Sequence, residues 1–233
     1  MSMFKRGCLD ATPQLISLLP FAILTGVSAI QAGMTPWTAQ LSSVLLMSGA
    51  SQIAAASLMT TGATPLVVIF THIAINFRYA IYSAGLAQLK LDVTPAKKVA
   101  AAQVLIDQTY ALTFLRSQEH MMTPRERTYY YFGTALPMWL TWQCGTAIGI
   151  LGGSNVPDYW ELDFAITLCF ISLLVPMVKS HTVVVVTGVS GISAAMTYHW
   201  PYNLGFLFSI ASGVLAGGGL LKWKSQQAQR ETV

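Results

Sequence analysis

From Thr38 to Leu86 the chain reads TAQLSSVLLMSGASQIAAASLMTTGATPLVVIFTHIAINFRYAIYSAGL, and in all of it only Arg78 carries a formal charge. A helix needs about 20 mainly apolar residues, each rising about 1.5 Å, to cross about 30 Å of hydrocarbon. The stretch therefore holds two candidate crossings, Thr38–Thr61 and Pro65–Leu86, with a glycine-containing turn between them. A segment this long and this poor in charge cannot offer a face to water. The fold it dictates is a bundle of helices dissolved in lipid.

Working outward, the same criterion marks Pro13–Gly33 before this stretch and Ala96–Ser117, Tyr129–Leu151, Phe164–Val178, His181–Tyr198 and Pro201–Leu221 after it. That makes about eight spans. The Lys179-Ser180-His181 turn barely interrupts the apolar run around it, so a count of seven stays open. The expected architecture is an all-α polytopic membrane protein, one transmembrane domain over residues 1–233, with some helices broken at proline or glycine and a polar, frayed tail from Lys222. Composition agrees: 54% of residues are hydrophobic and 9% charged, against roughly a quarter charged in soluble domains. Lys5 and Arg6 precede the first apolar stretch, but no small-residue cleavage site ends it, so it is expected to remain as a span.

Charge placement sets the orientation. Cations cluster at Lys5 and Arg6, in a central loop with Arg116, Arg125 and Arg127, and at the C-terminus with Lys222, Lys224 and Arg230. Cytoplasmic segments carry such an excess, so both termini and the central loop are expected in the cytoplasm, with the Asp158–Asp163 loop outside. Lys90, Lys97 and Lys98 would then lie outside. Either one of the first three elements fails to cross fully, or this short loop departs from the rule. A weak repeat at an offset of 117 residues pairs Leu19-Pro20 with Leu136-Pro137 and Leu66-Val67-Val68 with Val183-Val184-Val185. It divides the chain into candidate halves 1–117 and 128–221, joined by the polar loop 118–127, in the manner of duplicated transporters.

Among the charged residues only Arg78 and Asp107 fall deep inside a span. Each stands about ten residues from the loop between consecutive antiparallel helices, near 15 Å depth at about 1.5 Å per residue. A lone charge there costs several kcal/mol, so the two are expected to pair or to share a wet cavity. The competing reading is a static ion pair that fixes helix packing. The run Ser48-Gly49-Ala50-Ser51-Gln52 puts poor helix formers and an amide in mid-span, where transporters break a helix to expose backbone groups to substrate; close helix packing is the alternative. Pro20 and Pro137 each remove a backbone donor and free a carbonyl. His72, Asn76 and Tyr79 share one helix face by their spacing. Gly145, Gly149 and Gly153, and Gly213 with Gly217, repeat every four residues, the pattern of tight helix contact.

Several chemistries have no residues to carry them. There is no Gly-Lys-Ser/Thr phosphate loop, no His-Glu-x-x-His and no Gly-x-Ser-x-Gly, so no enzyme activity is expected. Cys8, Cys144 and Cys169 show no ligand spacing; neither a metal nor a cofactor is expected, and Cys144 and Cys169 read as buried thiols. The net charge of +4, with cations at span ends, gives no nucleic-acid surface.

The Ser48-Gly49-Ala50-Ser51-Gln52 run resembles the Ser-Gly-Ala-x-Gln signature of AzlC-type branched-chain amino acid exporters. Asn76-Phe77-Arg78-Tyr79 with Tyr82-Ser83 is similar to their Asn-x-Arg-x-x-x-Tyr-Ser stretch. Asp107-Gln108-Thr109-Tyr110-Ala111 resembles Asp-Glu-x-x-Ala, and Leu162-Asp163-Phe164-Ala165 resembles a later Leu-Asp-Phe-Ala element. The motifs stand in the family's order and cover essentially the whole chain. Two departures narrow any coupling role to Asp107: Gln108 replaces the second acid, and Tyr79 stands where histidine is common. The resemblance implies the large subunit of a secondary exporter of valine, leucine, isoleucine and sometimes methionine, coupled to protons and working with a small hydrophobic AzlD-like subunit. It also implies the bacterial cytoplasmic membrane. Candidate substrate contacts are Pro20, Gly49, Ser51, Gln52, Asn76, Arg78 and Tyr110, with Asp107 as the proton-coupling residue. A non-transporting scaffold subunit, or an exporter of another small neutral amino acid, is the alternative.

Overall fold

The computed structural model describes residues 2–153, 180–200 and 204–231. The sixth candidate span, Phe164–Val178, together with Cys169 and the Leu162–Ala165 element, lies outside them. Among the described residues the regular elements are helices: α1 (Met3–Gln31), α2 (Pro36–Leu46), α3 (Gly49–Thr60), α4 (Pro65–Asn76), α5 (Arg78–Gln88), α6 (Pro95–Gln103), α7 (Asp107–Glu119), α8 (Pro124–Gly153), α9 (His181–Met196) and α10 (Leu204–Glu231). The chain forms two compact units, Met1–Ser57 with Ile75–Trp160 and Leu58–Ala74 with Glu161–Val233. That division does not follow the candidate halves.

The axis of the first unit is the pair α1 and α8. Helix α1 starts ten residues before the expected Pro13, because Ser2 accepts the Lys5 amide at 3.4 Å and Arg6 bridges Asp10 at 3.2 Å. It continues unbroken through Pro13 and Pro20, and α8 continues through Pro137. Glycines let the two backbones touch. A Cβ on Gly7 would meet the Tyr130 carbonyl at 2.5 Å, one on Gly26 the Gly149 Cα at 3.0 Å, and one on Gly153 the Ile30 Cβ at 3.1 Å. These contacts advance together along both chains, so the helices run parallel. At 29 and 30 residues each is about 45 Å long. Cys144 stands exposed on α8, which corrects the expectation of a buried thiol: the glycine face of the helix is the one that packs, and Cys144 is not on it.

The second expected span, Thr38–Thr61, is two helices. Helix α2 begins under a Thr35 cap with Pro36 in its first turn and ends at Met47, whose φ of 33° and ψ of 46° are left-handed. Its start packs with Ala29 and Ile150, and its end with Met138 and Trp142 near the middle of α8. There the chain turns back. Ten residues of straight helix would separate Ser42 from Gln52 by about 15 Å, yet the Gln52 amide donates to the Ser42 hydroxyl at 3.2 Å. The expected Pro65–Leu86 span is interrupted only at Phe77, which keeps helical angles (φ −56°, ψ −26°). The run Pro65–Gln88 is 24 residues and apolar enough to cross a membrane, as is Met3–Gln31.

The expected fourth span, Ala96–Ser117, is also two helices, α6 and α7. Helix α6 starts beside the beginning of α8: Asp92 donates its amide to Thr128 at 2.8 Å, Arg127 donates to the Leu89 carbonyl at 2.8 Å, and Lys97, Arg125, Tyr129 and Phe4 line one hollow. It rises past Tyr131, whose hydroxyl donates to the Ala101 carbonyl at 2.6 Å, and reaches the Met138 level at Ile106. Helix α7 then descends and is joined by a four-residue loop to Pro124. Both ends of this hairpin therefore lie at the same end of the unit as Lys5 and Arg127. Lys90, Lys97 and Lys98 share that end, because α2 and α3 fold back instead of crossing. Of the first three expected spans, the second is the one that turns back on itself.

In the second unit α9 and α10 run antiparallel. Gly213 faces Ser190, and a Cβ on Gly217 would meet Val186 at 3.0 Å. The Ser212 hydroxyl donates to Ser193 at 3.0 Å, and Lys224 reaches Thr182 at 3.1 Å. Helix α10 extends to Glu231, so the tail from Lys222 is helical where fraying was expected.

Candidate functional site

Two hairpin tips meet at mid-depth. Met47 and Ile106 share an apolar cluster with Ala11, Leu18, Ala22, Met138 and Trp142. Ending a helix in lipid leaves carbonyls without donors, at several kcal/mol each. Side chains of other elements supply them here. Gln103 donates to the Val44 and Leu45 carbonyls at 2.6 and 3.0 Å, Gln143 to Ser43 at 3.3 Å, and the Tyr79 hydroxyl to Met47 at 3.3 Å. At the other break, Val104–Ile106, the Thr109 hydroxyl accepts the Ile106 amide at 3.1 Å.

Next to these tips the two deep charges meet. Arg78 Nη1 donates to Asp107 Oδ2 at 2.7 Å. Each is the first residue of its helix, Arg78 of α5 and Asp107 of α7. An acid in the first turn faces the positive end of its helix, a favourable place for it; an arginine there is held by its partner instead. The side chains remain 32% and 42% exposed, so the pair is open on one side. Asp107 Oδ1 and Arg78 Nε, by contrast, are buried and make no hydrogen bond among the described residues. The guanidinium also lies 5.2 Å from the Tyr79 ring centre. An ion pair with one buried lone-pair site, one buried donor and an open flank can exchange partners: a carboxylate or a proton has both access and an unmet bond to fill.

Asn76, the last residue of α4, ties the pair to the first tip. Ser48 donates to its side-chain oxygen at 2.6 Å, and its amide nitrogen donates to Ser51 at 3.0 Å. The structure thus brings together Ser51, Asn76, Arg78 and Asp107. Gln52 sits one turn into α3 with a buried Oε1 that has no partner among the described residues. Other expected contacts have different tasks. The open face of Gly49 is filled by the Phe21 and Trp142 rings, and a Cβ would meet Trp142 at 2.6 Å. Tyr110 stacks on Tyr82 at 4.9 Å between ring centres and covers Gly85. Pro20 is exposed on α1 and takes no part in these bonds. Ser48, Tyr79, Tyr82 and Gln103 join the site although they were not among the expected contacts; the signal for Gln103 was an amide in an otherwise apolar run, the same one that marked Gln52.

A family model described as AzlC protein matches residues 13–156, the span that contains both hairpins and the ion pair. The chain belongs to the AzlC family. Among relatives, an uncharacterized membrane protein of Archaeoglobus fulgidus is 32% identical over 230 residues, 97% of this chain and 97% of its own. The inner membrane protein YgaZ of Escherichia coli is 26% identical over 221 residues, 92% and 86% of the two chains. An uncharacterized membrane protein of Helicobacter pylori is 26% identical over 187 residues, 78% and 80%. No solved structure matches the chain. This AzlC-family chain is therefore an α-helical membrane protein, and the family's matched segment carries both tips and the Arg78–Asp107 pair.

Proposed function

We propose that this AzlC-family chain is the large subunit of a proton-coupled exporter of branched-chain amino acids, acting with a small hydrophobic membrane subunit. The observation that carries the reading is the open Arg78–Asp107 pair at the meeting point of two broken helices, with Asp107 Oδ1 and Arg78 Nε buried and unpartnered among the described residues. A substrate carboxylate can take over Arg78, which stays neutralised throughout. The substrate ammonium can take Asp107 at the same time, and a proton on Asp107 removes that ammonium's partner before the acid returns to Arg78 as the pair re-forms. The zwitterion and the proton exclude one another at Asp107, so substrate and proton use the site in turn. The cation-rich end, with Lys5, Lys90, Lys97 and Arg127, faces the cytoplasm under this reading, and the chain resides in the cytoplasmic membrane. No chemical step is assigned to the chain.

The test is efflux of labelled valine from vesicles that hold both subunits. Asp107→Asn should insert normally yet abolish the dependence of export on the proton gradient. Gradient-driven efflux at the normal rate in that variant would remove Asp107 from the mechanism. A fully active Arg78→Ala would reduce the pair to packing and favour a scaffold role.

A further inference from the structure

On the cation-rich side of the ion pair, α5 and α6 enclose a cavity of about 310 Å³ lined by Ser83, Leu86, Lys90, Leu91, Lys98 and Leu105 among others. We infer that it is a waiting site for a zwitterionic aliphatic amino acid, occupied before the substrate reaches Arg78; this inference rests on the transport reading above. Its chemistry is two-sided. Lys90 and Lys98 line it, so two ammonium groups are available to a carboxylate. Leu86, Leu91 and Leu105 give an apolar floor for a branched side chain. The volume lies at the small end of the range for ligand pockets, about 300–1,000 Å³, which suits a single amino acid and not a two-chain lipid.

Position gives the site its purpose. Leu105 is two residues before Asp107, and Ser83 is five residues after Arg78. The wall between cavity and pair is thin. Tyr82, stacked on Tyr110 at 4.9 Å, packs against the cluster that contains Leu86 and Leu105 and lies within electrostatic reach of both Arg78 and Asp107. A ligand in the cavity therefore has one aromatic pair to pass before it meets the guanidinium.

The experiment is leucine transport by the two-subunit complex in vesicles, with L-leucine supplied on the face that bears Lys90. The double variant Lys90→Gln, Lys98→Gln should raise KM about tenfold and keep the maximal rate within about twofold, and Lys90→Arg with Lys98→Arg should restore KM. Leucinol, which lacks the carboxylate, should compete equally with both proteins. An unchanged KM in the glutamine variant, a lowered maximal rate with KM unchanged, or an effect that vanishes in vesicles without anionic lipid would each overturn the site. In those cases export blocked by Arg78→Ala leaves the transport reading standing. A wild-type complex that moves no L-leucine brings down both.

Discussion

Gln103, the last residue of α6, hydrogen-bonds the Val44 carbonyl of α2 at 2.6 Å, so the broken end of α2 is completed by a side chain from the other hairpin. Two half-helices that enter from opposite ends of the unit are thereby fastened tip to tip. Replacing Gln103 by leucine leaves the Val44 and Leu45 carbonyls without their donor. Because Gln103 is exposed, solvent offsets part of the loss, and the expected cost is about 1–2 kcal/mol. Thermal unfolding in detergent measures it; a melting point equal to wild type would mean the tips are held by apolar contact alone.

The Arg78–Asp107 pair should separate stability from transport. Each single variant, Arg78→Ala or Asp107→Asn, is expected to lose about 1–3 kcal/mol, less than a sealed pair would because both side chains are partly exposed. The exchanged pair, Arg78→Asp with Asp107→Arg, should recover much of that stability, read as a double-mutant cycle. It should recover none of the export, since the cation would then stand at the wrong helix start. Export restored by the exchange would show that attraction alone matters.

Sidedness follows from the folded-back hairpins. In a background without native cysteines, Lys97→Cys and Arg125→Cys should react with a membrane-impermeant thiol reagent from the same side, and Thr35→Cys from the other. Labelling of Lys97→Cys and Arg125→Cys from opposite sides would make α6 and α7 a true crossing.

Gly149 and Gly152 are neighbours with opposite tolerance. A side chain at Gly149 would run into the Ile23 backbone, whereas no described residue lies within 4 Å of one at Gly152. Gly149→Leu should cost about 3 kcal/mol or prevent assembly, and Gly152→Leu should be near neutral. Comparable yields of folded protein from both would remove the close approach of α1 and α8.

Acid should loosen the start of α8. Glu126 accepts the Thr123 amide at 2.9 Å and its hydroxyl at 2.8 Å, and the backbone bond first, then the hydroxyl, holds its carboxyl below the usual carboxylate range. A folded pKa below the unfolded value of about 4.3 means the contact contributes fully above that pH and is lost as pH falls through the lower value. Amide protection in the first turn of α8, relative to the intrinsic exchange rate at each pH, should fall below about pH 4, and Glu126→Gln should flatten the pH dependence. The same pH dependence in that variant would assign the effect to another group.

The lipid setting, the pairing of Arg78 with Asp107 and the glycine contacts were legible in the sequence because each follows from a local rule: hydrophobic length, the cost of a lone charge, the room left by small residues. The breaks were legible only in part. Ser48-Gly49 announced one. Val104-Leu105-Ile106 contains neither glycine nor proline, and its break is set by contacts with Met47 and Met138 that no local pattern reveals. Reading Ala96–Ser117 as one crossing follows from counting apolar residues, which cannot distinguish a helix that traverses from two that meet at a bend. Lys90, Lys97 and Lys98 held the clue, since the charge rule fails for them only if every candidate crosses. The stacking of Tyr110 on Tyr82 and the fit of Gly49 against Phe21 and Trp142 belong to the tertiary structure and have no local signal.

The near-fusion of α1 and α8 along their glycine seam has a mechanical corollary. Where carbonyls of one helix press on the Cα atoms of the other, sliding by even a fraction of a residue meets hard repulsion, so these two rods form a rigid axle. Elements attached to that axle through side chains only, as the tips at Met47 and Ile106 are, retain the freedom to swing about it.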